Sequence, residues 1–127
     1  MSDRVVAGLP AMIFNADHLD RPDKERILIL EGEKKSIIVT QETKIPNIAT
    51  MGMQSFKPEW TAKLAAYRTV YVCFDPDAID KAVEVAGYFN GRGRVVSLPA
   101  KADDMFARLG ANEADFMAYL RTARPVA

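Results

Sequence analysis

One cysteine and one histidine among 127 residues exclude an internal disulfide and a Cys/His zinc site, which needs about four ligands. Cys73 lies inside the apolar stretch VYVCF, where a small buried hydrophobe is expected rather than a nucleophile. His18 sits in a polar stretch and reads as a loop residue. The 17 basic and 17 acidic side chains cancel, so no overall field draws the chain to nucleic acid or to an anionic membrane. Any such binding must be local. No apolar run approaches the roughly 20 residues of a membrane-spanning helix, and no basic-then-apolar signal pattern opens the sequence. These absences lead us to expect a cytoplasmic protein in a reducing setting.

What is present is alternation. The length suits one domain with one core. Residues 1–25 mix short apolar pieces with Pro, Asn and Asp and read as an irregular leading segment, with one strand expected near residues 11–14. From residue 26 the pattern is regular: ILIL, a helical stretch over residues 33–42, then the strand-length NIATMGM. Pro58 opens a further expected helix with Trp60, Leu64 and Tyr67 at i, i+4 and i+7. TVYVCF follows as a strand. The next helix places Ile79, Ala82, Val83, Ala86 and Phe89 on one face before Asn90-Gly91 stops it. RVVSLP supplies a fourth strand. KADDMFARLG gives a short helix closed by Gly110, and NEADFMAYL gives another, with Asn112 and Asp115 at its N-cap and N3 positions. The expected domain runs over residues 26–122, with 123–127 as a tail.

Four apolar strands separated by helical patterns predict an α/β fold with a mostly parallel four-stranded sheet, helices covering both faces. In such sheets the carboxyl ends of the strands open onto the ligand crevice. Polar residues that end strands therefore point at the site. Three strand exits carry acids: Glu31 after ILIL, Asp75-Pro76-Asp77 after VYVCF, and Asp103-Asp104 shortly after VVSLP. Pro76 biases Asp75 toward extended geometry, and alternate residues of an extended segment point the same way, so Asp75 and Asp77 are candidates to share one hard cation. Each acid also has a plain structural role open to it. Asp75 can be an N-cap, Asp77 a first-turn acid, Asp103 or Asp104 a cap, and Glu31 a solvated acid near a helix start.

The ordered trio EGEKK, FDPDA and LPAKADDMF resembles the Toprim domain shared by bacterial-type primases, type IA and type II topoisomerases and several nucleases. The match runs over residues 27–109, and IFNADHL is similar to the segment preceding this domain in phage and plasmid primases. The resemblance implies general acid-base work for Glu31, magnesium (or manganese) binding by Asp75 and Asp77, and a sharp backbone turn at Gly32. Asp103 and Asp104 are additional acidic candidates, and Lys34, Lys35 and Lys101 are phosphate-contact candidates at the rim. The implied function is Mg-dependent nucleotidyl or phosphoryl transfer on DNA or RNA, as the Toprim module of a longer primase-like DNA replication protein with zinc-binding or helicase modules. A Toprim-type nuclease and a non-catalytic nucleotide- or nucleic-acid-binding assembly module are the alternatives. Two departures stand out. Where many family members have a further acidic residue shortly after EG, this chain reads Glu33-Lys34-Lys35. No glycine follows the second aspartate of FDPDA within a few positions.

Overall fold

The structure is a computed structural model that describes residues 13–14, 24–50 and 56–126. Its strands are β1 (Ile13–Phe14), β2 (Arg26–Glu31), β3 (Asn47–Thr50), β4 (Thr69–Cys73), β5 (Gly93–Val95) and β6 (Arg124–Pro125). Its helices are α1 (Glu33–Thr43), α2 (Ile79–Gly87), α3 (Ala102–Ala107) and α4 (Glu113–Arg121). The six strands form one sheet in the order β1-β3-β2-β4-β5-β6. β3, β2, β4 and β5 are mutually parallel, and β1 and β6 join antiparallel at the two edges.

The aliphatic run in β2 has no polar position because both of its faces are covered. Ile27 and Ile29 point into a core formed with Val70, Val72, Trp60, Leu64 and the α2 residues Ala82, Val85 and Ala86. Leu28 and Leu30 point the other way, toward Val39 of α1, Met105 of α3 and Phe116 of α4. This is the period-2 alternation of a strand sandwiched between two helical layers. Burial of Cys73 at 1% exposure pushes its thiol well above the ordinary range by desolvation. A thiol-specific alkylating reagent is expected to label the native chain about a thousandfold more slowly than the urea-unfolded chain, because labelling awaits opening. Mass spectrometry of timed samples reads this directly.

The four expected strands are the parallel core of the sheet, and the two-residue edge strands extend it to six. β6 lies in residues expected to be a tail. Its backbone is held because Val126 donates to the Gly93 carbonyl at 3.1 Å. The expected strand over residues 47–53 is observed for Asn47–Thr50, its remainder lying among residues 51–55, outside those described. The helix expected after Pro58 is a 3-10 helix, Pro58–Leu64. Trp60, Leu64 and Tyr67 are buried as expected, but the tighter winding turns Trp60 about 120° away from Leu64, and Tyr67 lies beyond the end of the helix. Phe56 meets Trp60 edge-on at 5.3 Å within the same core. The buried stripe is Ala82, Val85 and Ala86 of α2 with Phe89 just past its end, whereas Val83 is 37% exposed. Val83 lies about 100° around the helix from Ala82, which carries it off the face. α4 begins with the expected capping box between Asn112 and Asp115.

Candidate functional site

Chain direction decides where the crevice lies. From β2 the chain leaves through α1, on the face holding Leu28 and Leu30, and returns at β3 on one side of β2. From β4 it leaves through α2, on the opposite face, and returns at β5 on the other side. The connections therefore diverge between the adjacent strands β2 and β4. A doubly wound sheet opens its ligand crevice at such a point, outside the carboxyl ends of the strands.

Glu31 and Asp75 stand at that point. The parallel register pairs Leu30 with Cys73, so Glu31 ends β2 beside the segment that leaves β4. The Asp75 backbone N–H donates to Glu31 Oε1 at 3.4 Å, a long contact that ties the two exits together. Gly32 makes the turn out of β2 with φ 89° and ψ 137°, a positive φ that favours glycine. Its N–H donates to the Thr50 carbonyl at 2.8 Å, fixing the exits of β2 and β3 as well.

Asp75 has the extended backbone that Pro76 imposes, with φ −59° and ψ 151°, and its carboxylate makes no cap hydrogen bond. The reason is local. The tight 3-10 turn at Pro76–Ala78 gives the Ala78 N–H to the Asp75 backbone carbonyl at 2.8 Å, so the carboxylate is not drawn into capping. It turns inward instead, with its side chain 17% exposed and Lys35 Nζ 3.4 Å from Oδ1. Asp77, on the first turn of that 3-10 segment, is exposed to solvent.

Asp103 and Asp104 occupy the first turn of α3 and are both half-buried. Asp103 faces α1, where Lys34 Nζ approaches its Oδ2 to 4.0 Å. Lys34 itself is 88% exposed, and Lys101, which precedes α3, is exposed. Both lie free enough at the rim to meet a phosphate. Lys35 differs from them: its side chain is 15% exposed and directed at Asp75. Lysine in an amphipathic helix ordinarily marks a solvated face, and nothing local in EGEKK announces an inward lysine.

Asp75 Oδ1 and Asp103 Oδ1 are buried carboxylate oxygens without a hydrogen-bond donor. Buried polar atoms normally have one, and an oxygen left in this condition is a fitting ligand for a hard cation. Magnesium commonly takes only one or two carboxylates from protein, a number that Asp75 with one neighbouring acid would meet. Among the described residues no three Asp, Glu, His or Cys side chains gather into a metal-ligand cluster. A cation here would rest on few protein oxygens, with water or substrate completing its shell.

No protein-family model and no curated protein matches the chain. Solved structures do. The structure of the DnaG catalytic core superposes with a TM-score of 0.71 at 21% identity, covering 89% of this chain and 40% of that one. The DnaG primase catalytic domain bound to ssDNA gives 0.68 at 19% identity, covering 98% and 43%. The chain thus spans about two fifths of the length of these structures, and over that span it has the Toprim-like α/β fold of the DnaG catalytic core.

Proposed function

We propose that this chain is the Toprim module of a primase-like DNA replication protein and supports magnesium-dependent nucleotidyl transfer on a nucleic-acid strand. The observation that carries the reading is the meeting of Glu31 and Asp75 where the sheet connections diverge, with Asp75 Oδ1 buried and lacking a hydrogen-bond donor. Further support comes from the fold of a DnaG catalytic domain, one solved example of which is bound to ssDNA.

Asp75, with Asp77 on the flanking turn, would hold the ion. When bound, magnesium neutralises charge that develops on the phosphates. Glu31 would take the proton from an attacking 3′-hydroxyl or give one to a leaving oxygen. Lys34 and Lys101 would meet phosphates at the rim. A chain whose 17 basic and 17 acidic side chains cancel offers no net positive field to a nucleic-acid backbone, so zinc-binding or helicase modules of a longer protein would hold the template.

Calorimetric titration with Mn²⁺ tests the ligands. Asp75→Asn is expected to weaken binding about tenfold or more and Asp77→Asn by less, since Asp77 is exposed. Unchanged affinity in both overturns the assignment. Incubating labelled strands with metal, with and without nucleotides, separates this function from a nuclease acting through the same acids: extension supports the primase-like reading, and cleavage without nucleotides supports the nuclease. The Lys35–Asp75 pair favours one further alternative, a module that binds without catalysing, because the pair supplies a cation without a metal.

A further inference from the structure

Two consecutive lysines on the first turn of α1 reach acids at two different exits. Lys34 approaches Asp103 and Lys35 approaches Asp75. The Lys35 contact is the enclosed one, with side-chain exposures of 15% and 17% for its partners. It is also imperfect. At 3.4 Å the ammonium is well outside the roughly 2.7–2.9 Å of a charge-assisted hydrogen bond, and Asp75 Oδ1 remains without a donor. Lys35 balances the charge of this carboxylate without satisfying its oxygen.

The turn at Gly32 makes the approach possible. Lys35 Nζ lies 4.0 Å from the place a Cβ on residue 32 would occupy, with no other neighbour that close. The ammonium thus folds back over the strand exit on a four-carbon stem of rotatable bonds.

We infer that Lys35 is a tethered cation holding the place of a divalent ion at Asp75, and that metal binding expels its ammonium into solvent. This rests on the metal-binding reading of Asp75 given above. A divalent ion on Oδ1 would repel an ammonium held 3.4 Å from the same oxygen. The ion, which forms bonds of about 2.0–2.1 Å to oxygen, satisfies Oδ1 where the lysine does not. Lys35 is a positioning residue in this account. It keeps Asp75 paired and aimed inward while the site waits, and it sets a threshold on the metal concentration at which the site loads. Lys34, exposed and 4.0 Å from Asp103, is the natural reference.

The wild-type chain provides the first test. Lysine acylation by a water-soluble N-hydroxysuccinimide ester, followed by mass spectrometry, is expected to modify Lys35 several-fold faster in saturating Mg²⁺ than in chelator, with Lys34 changing little. Equal or slower labelling of Lys35 with the ion bound overturns the proposal. Calorimetric titration with Mn²⁺ provides the second. Lys35→Met, which keeps the stem and loses the charge, is expected to bind about tenfold more tightly than wild type. Lys35→Arg, which keeps the charge, should stay near wild type, and adding Asp75→Asn to Lys35→Met should abolish the gain. Lys35→Gln carries the same expectation should the methionine variant fold poorly. If Asp75→Asn weakens Mn²⁺ binding while neither neutral Lys35 variant strengthens it, the tethered cation is wrong and the metal site stands. If Asp75→Asn leaves Mn²⁺ binding unchanged, or no variant binds the ion, both fall.

Discussion

Gly93→Ala is expected to destabilise the fold by about 3 kcal/mol or more, because a Cβ at this position meets backbone rather than movable side chain. Built on the present backbone, that methyl would stand 2.1 Å from the Ala86 carbonyl oxygen and 2.8 Å from two further Ala86 backbone atoms. The clash is hard to relieve. Ala86 is fully buried in α2, and its neighbours Val85 and Phe89 are seated in the same core. Moving α2 outward would open that core, and moving β5 would disturb its pairing with β4, in which Val70 lies opposite Gly93. For a chain of this length the loss corresponds to a fall in Tm of roughly 10 °C or more. Thermal unfolding followed by circular dichroism reads it. A variant melting with the wild type would show that α2 does not approach β5 as described.

On the proposed nucleotidyl-transfer function, Glu31→Gln is expected to leave stability nearly unchanged and to lower activity by a factor of about 10² to 10⁴, the contribution of a positioned acid-base group. The glutamine carbonyl can still accept the Asp75 N–H that Glu31 Oε1 accepts now, so the tie between the strand exits survives. What disappears is the capacity to take up and release a proton. Measuring strand extension alongside Tm separates the two properties. A variant that keeps full extension activity removes Glu31 from the chemistry, whereas one that loses both fold and activity gives the residue a structural role instead.

The parallel strands were legible because burial on both faces leaves an unmistakable signature. ILIL and VYVCF carry apolar residues at consecutive positions, and each neighbouring position feeds the opposite core. Placing Glu31 beside Asp75 followed from the same logic, since one ends and the other closely follows a parallel strand, and the parallel strands share one carboxyl edge. What sequence conveyed poorly was anything decided by a few degrees of winding. The 3-10 helix at Pro58–Leu64 presents the same apolar spacing as an α-helix, and only its tighter turn moves Trp60 away from Leu64. The DPDA stretch was ambiguous for a related reason. An aspartate before proline suits a helix cap and a ligand equally well; the structure shows that the carboxylate does not cap, the Ala78 N–H going to the backbone carbonyl of Asp75. Lys35 was hidden because its partner is 40 positions away and its side chain is long enough to point either outward or inward. Asp103 and Asp104 are separated by nothing in their own sequence. It is the packing of α3 beside α1 that brings Asp103 toward Lys34.

The antiparallel strand β6 has a bearing on how the molecule meets copies of itself. A parallel strand of hydrophobic composition left bare would offer a row of amides and carbonyls to any extended peptide. Here β5 is covered by a two-residue exposed strand whose second member is Pro125, and a proline has no N–H to give to a further neighbour. Strand addition from another chain therefore finds a short, partly donorless margin on this side. The sheet carries its own stop against growing into fibres there.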